Sequence, residues 1–157
     1  MKKILLIILL APVYMSCSSD DEQTIQNNDI IGLWKIIDYN DSQFSNIEEV
    51  EATDEPCFSL QTKRYKSSGE LNFFYKTGNG CQSEGVTNKV YSIEEEVLTE
   101  TIVNGGDLPN SDYVVKYSIE ELSSDILKLK GIYVDEGTGN EDVNVDDPFY
   151  ETWERIE

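Results

Sequence analysis

The sequence predicts an all-β domain over residues 30–157, an antiparallel meander of about eight strands, and three observations carry that prediction. Several runs alternate apolar and polar residues with a period of two, as strands with one buried face do. In "DYVVKYSIE", Tyr113, Val115, Tyr117 and Ile119 fall on one side, while Val114, Lys116, Ser118 and Glu120 fall on the other. Turn formers punctuate the runs at Ser68-Gly69, Gly78-Asn79-Gly80, Asn104-Gly105-Gly106 and Gly137-Thr138-Gly139. Finally, "YSIEEEVLTE" at 91–100 recurs as "YSIEELSSDILKL" at 117–129. Two similar hairpins in succession point to neighbours in sequence that also pair in space. A chain of this length forms one such domain, closed as an up-and-down barrel or folded as a sandwich.

The elements follow in order. "IIGLWKIIDY" (30–39) is the first strand, and "NIEEVEATDEP" (46–56) is a polar connection with room for one helical turn. Strands are then expected at "CFSLQTKRY" (57–65), "ELNFFYK" (70–76), "VTNKVYSI" (86–93), "VLTETIV" (97–103), "DYVVKYSI" (112–119), "ILKLKGIYV" (126–134) and "FYETWERI" (149–156). Residues 134–148, "VDEGTGNEDVNVDDP", read as a loop, and nothing after residue 17 shows a sustained helical period. That loop is rich in carboxylates but lacks the ligand spacing of a calcium-binding loop, so it reads as solvated, and no metal site is expected.

The N-terminus sets an expected address. Met1-Lys2-Lys3 precedes a ten-residue apolar run, Ile4 to Val13, broken only by Pro12. A membrane-spanning helix needs roughly 20 apolar residues, so residues 1–16 read as a secretory signal peptide. The run ends at Ser16-Cys17, which resembles the lipobox of bacterial lipoproteins, where a small residue precedes the cysteine that is acylated, commonly with palmitate. The resemblance implies that Cys17 becomes a lipidated first residue anchored in the outer membrane. "SSDDE" and the polar residues up to 29 then form a flexible acidic tether. A cysteine followed by serines and acids also looks like the surface-export signal of Bacteroidetes lipoproteins; the cell surface and the periplasmic face both remain open.

Charge excludes several classes of function. The chain carries 12 Lys+Arg against 31 Asp+Glu, a net −19. Without residues 1–16, Lys2 and Lys3 are lost and the balance becomes 10 against 31, a net −21. Such a surface repels phosphate backbones, so no nucleic acid is expected as partner, and it favours a monomer. Cys57 and Cys81 lie 24 residues apart, and in an exported protein they are expected to form a structural disulfide. There is no histidine, the commonest general base, nor any nucleophile or phosphate-loop motif. No enzyme activity and no cofactor are expected.

Gly32-Leu33-Trp34 on the first strand resembles the G-x-W motif of lipocalins, Arg155 in the closing "ETWERIE" matches the basic residue of their last strand, and "SDY" (111–113) is similar to their T-D-Y tripeptide. The layout is identified as that of lipocalin-like lipoproteins of Bacteroidetes. This favours a single lipocalin-like barrel over an immunoglobulin-like sandwich, with Trp34 closing one end beneath Arg155. It also implies a small hydrophobic ligand. Phe73, Phe74, Tyr75, Tyr113, Tyr117 and Tyr133 could then line a calyx, although core packing explains each of them as well. The inward-facing residues are mostly large, which leans towards the other reading: a filled barrel that contacts protein or glycan through its surface.

Overall fold

The computed structural model describes residues 29–53, 55–106, 111–138, 143–144 and 147–157. The expected signal peptide (1–16), Cys17 and the tether up to residue 28 lie outside the described residues, as does part of the 134–148 loop. Among the described residues nine strands and one short α-helix follow in order: β1 (Gly32–Asn40), α1 (Ile47–Thr53), β2 (Thr62–Tyr65), β3 (Glu70–Thr77), β4 (Ser83–Glu94), β5 (Val97–Ile102), β6 (Tyr113–Leu122), β7 (Ile126–Asp135), β8 (Val143–Asn144) and β9 (Tyr150–Arg155).

Each strand from β1 to β7 pairs antiparallel with its successor, β7 pairs with β9, and β9 returns to β1. The result is a closed, eight-stranded up-and-down barrel. β8 pairs with the far end of β7, at Tyr133 and Val134, beyond the reach of β9. Closure decides between barrel and sandwich, because each of the eight barrel strands has a partner on both sides. The repeated segments 91–100 and 117–129 form two hairpins, β4–β5 and β6–β7. Local twist is adjusted by bulges. The one between Ile36 and Asp38 puts Ile37 out to solvent and turns Tyr39, rather than Asp38, towards the interior.

One expectation needs correction. The strand expected over 57–65 begins only at Thr62; a 3-10 turn, Phe58–Leu60, precedes it. The connection before it holds, as α1, the helical turn for which 46–56 had room, although no helical period was legible. At seven residues it is too short to show one, and it is stabilised locally. Asn46 Oδ1 accepts from the Glu49 amide at 3.0 Å, and the Glu49 carboxylate accepts from the Ser45 amide at 2.7 Å, a reciprocal N-terminal cap. Ile47 and Val50 fall on its one buried face. Helix and turn together form the long link that arches from β1 to β2 at one end of the barrel.

Packing is uneven along the barrel axis. The end where β1 starts and β9 finishes is filled by Ile30, Trp34, Leu71, Leu98 and Leu127, all fully buried. The end carrying α1 is different, and it is there that polar and aromatic groups converge.

Candidate functional site

The closed end brings Gly32, Trp34 and Arg155 together. The Trp34 indole donates to the Ile30 carbonyl at 2.8 Å, and the Arg155 guanidinium lies 4.2 Å from its ring centre. Arg155 also donates to the carbonyls of Ile31 and Asp29. Gly32 sits at φ +149°, and a Cβ there would come within 2.7 Å of both Arg155 Nη1 and the Glu157 carbonyl. Gly32→Ala is therefore expected to lower unfolding stability by about 2 kcal/mol, read from denaturant melts. A variant as stable as wild type would mean that Arg155 is not held against this backbone.

Halfway along the barrel lies a layer of buried charge. Lys63 alternates inward with Tyr65 on β2 and with Gln61 just before it, and its ammonium is 3.0 Å from Glu100 and 3.1 Å from Glu151. It also sits 4.6 Å from the Trp153 ring centre and 4.9 Å from that of Tyr117. Lys89 pairs with the other Glu100 oxygen at 2.9 Å and lies over Phe73. The Tyr65 hydroxyl donates to Glu100 at 2.6 Å, and Trp153 Nε1 donates to Glu151 at 2.9 Å. Two cations thus meet two carboxylates, and the layer sums to zero.

Electrostatics follow from that geometry. Burial works to raise the Glu100 pKa, but Lys63, Lys89 and the Tyr65 hydroxyl outweigh it and bring the pKa down to about 2. Burial likewise works to lower that of Lys63, yet Glu100 and Glu151 hold it above the ordinary lysine value. The Tyr65 and Tyr117 hydroxyls are pushed well up, by burial first and by the neighbouring carboxylates second. Both hydroxyls and the Lys63 ammonium stay protonated near neutral pH and serve as donors to the carboxylates.

Above this layer the barrel is not filled. A cavity of about 250 Å³ opens towards the α1 end, with Lys63, Lys89, Glu151 and Trp153 at its floor. Aromatic rings make much of its wall. Tyr39 meets Phe58 edge-on at 5.1 Å and stacks with Phe149 at 6.3 Å, while Tyr117 meets Phe149 edge-on at 5.7 Å. Gly131 makes room for the Phe149 ring, since a Cβ there would lie 2.2 Å from it. Val115 and Val134 complete the apolar lining.

A second, larger groove of about 450 Å³ lies at the rim beside Cys57 and Tyr75, and shares Gln61 and Phe73 with the inner cavity. The expected disulfide joins Cys57 to Cys81 at 2.04 Å. The sulfurs meet beyond the paired strands: Cys57 leads into the 3-10 turn and Cys81 lies in the β3–β4 turn. The bond thereby ties the arch between β1 and β2 to the barrel rim. Reduction is expected to lower stability by roughly 3 kcal/mol through loop entropy, measured as a shift in denaturant midpoint with and without reductant.

The six aromatics expected as possible lining divide. Phe73, Tyr113 and Tyr117 line the cavity, and Tyr75 lines the rim groove. Phe74 pairs with Thr62 and Val86 on the other face of β3, and Tyr133 lies under Lys116 on the far side of β6 from Val115. The charged layer is what sequence reading missed. Glu100 sits in phase with Leu98 and Ile102 in "VLTETIV", so strict alternation places it inside. Lys63 carries a weaker mark, because its neighbour Arg64 offers a basic residue in the opposite phase. No protein-family model matches the chain, and no curated protein matches it in sequence.

Proposed function

We propose that this protein is a lipoprotein anchored in the bacterial outer membrane through Cys17, and that its barrel carries a small ligand in the aromatic cavity. The supporting observation for carriage is the cavity itself, about 250 Å³ of space walled by aromatic rings inside a barrel whose other end is packed solid. Concave apolar sites with a few convergent polar groups are the usual form of small-molecule sites. The sequence favours the anchor: an apolar run too short to span, ending at Ser16-Cys17 and followed by an acidic tether.

Native mass spectrometry of protein recovered gently from its own membrane tests both parts. The expected spectrum shows a diacyl mass on the peptide beginning at Cys17 and a further, non-covalent adduct on the intact protein. A bare intact mass would count against carriage and would favour a surface contact with protein or glycan. An unmodified Cys17 would remove the anchor.

A further inference from the structure

The chemistry around the cavity says what kind of molecule fits it, provided that it is a binding site as proposed above. We infer that it takes an uncharged, planar ring compound of one or two rings with an oxygen at its edge, and not a fatty acid or an organic cation.

Size and shape are the first argument. A space of about 250 Å³ lies below the usual 300–1,000 Å³ of drug-sized pockets, and a long acyl chain would have to leave it for the rim groove that shares Gln61 and Phe73. Rings in edge-on and stacked contact, as Tyr39, Phe58, Phe149 and Tyr117 are, continue most favourably onto another flat ring.

Charge is the second argument. At the floor Lys63, Lys89, Glu100 and Glu151 already neutralise one another. An added ion would arrive without a counter-charge beside a buried cluster that is already balanced, which is costly. An anion would also approach a chain of net charge −19. A cation would find the faces of Trp153, Tyr117 and Phe73 at the floor already covered by the ammonium groups of Lys63 and Lys89, whose like charges repel it.

A polar edge is the third. An ammonium has three donors, and among the described residues Lys89 gives a hydrogen bond to one carboxylate, Glu100. Lys89 lines the cavity, and also a surface groove beside Asn72 and Asn88, so a donor is at hand at the cavity floor. A ligand oxygen is the complementary group.

The test is isothermal titration calorimetry at neutral pH on the mature chain carrying Cys17→Ser, so that no acyl chain competes for the cavity. The probes are 2-naphthol, 2-naphthoate, naphthalen-2-yl-trimethylammonium and decanoate. 2-Naphthol is expected to bind at least about tenfold more tightly than each charged probe. Val134→Phe, which narrows the cavity, is expected to weaken it by about tenfold or more while the protein still melts cooperatively. Tighter binding of a charged probe, weakened by the same substitution, would overturn the ligand class and leave the carrier reading standing. Binding of none of the four would overturn both.

Discussion

Lys63→Met is expected to remove about 3–5 kcal/mol of unfolding stability and to make stability depend on pH between 8 and 5, where that of the wild type does not. In the wild type, the folded pKa of Glu100 is about 2 against an ordinary 4.5. A folded value below the unfolded one means that the contribution is fully present above pH 4.5 and is lost as the pH falls towards 2. It amounts to something on the order of 3 kcal/mol. Lys63 has the opposite sign: its folded pKa is raised above 10.5, so its contribution holds below that pH and fades above it. Wild-type stability should therefore be level across neutral pH and fall on the acid side. In the variant, Lys89 is the cation left to balance the buried Glu100 and the partly buried Glu151, and the cluster relieves the imbalance by taking up a proton. Its stability should then rise as the pH drops from 8 to 5. Urea denaturation at those two values measures the sign. A variant with the flat wild-type profile would mean that the carboxylates are solvated.

Trp34→Ala is expected to cost a similar amount, about 3–5 kcal/mol, for a different reason. The ring is fully buried at the closed end, where nothing is placed to refill its volume. Its loss also takes away the surface against which the Arg155 guanidinium lies and the hydrogen bond to the Ile30 carbonyl. Arg155 Nε is buried without a hydrogen-bond partner among the described residues, so the contact with the indole face is what compensates its burial there. Trp34→Phe keeps most of the volume and should recover more than half of the loss. Chemical denaturation of the two variants compares them directly, and equal losses would show that ring volume is irrelevant at this end.

The barrel was legible in the sequence because a half-buried strand writes its two faces in alternation and its turns in glycine. Seven of the expected strands lie where residues 30–39, 70–76 and the later runs placed them, to within a few residues at each end. The start of β2 was not legible, because "CFSL" alternates as a strand does while the disulfide and the 3-10 turn hold it in an arch. The closed end could be read from Gly32, Trp34 and Arg155, since each is chemically distinctive. The charged layer could not. Whether Lys63 or Arg64 turns inward depends on register, and register is set by pairing with β1 and β3 rather than by β2 itself. Tyr39 reaches the cavity only because of a bulge, which alternation cannot foretell. The expectation of a filled interior rested on the size of the inward residues. It holds for the closed end, where Leu and Ile dominate, and gives way at the other, where rings stand around a space.

That space is the feature on which the functional reading depends, and the sign of one thermal shift tests it. Val134 lines the cavity and packs on the core from its edge. In an open cavity, Val134→Phe adds apolar contact without displacing anything, and the melting temperature should rise by about 1–4 °C. In a barrel already packed at this level, the same ring would force its neighbours apart and lower the melting temperature, by the equivalent of about 1–3 kcal/mol. A rise supports the cavity; a fall of that size would contradict it.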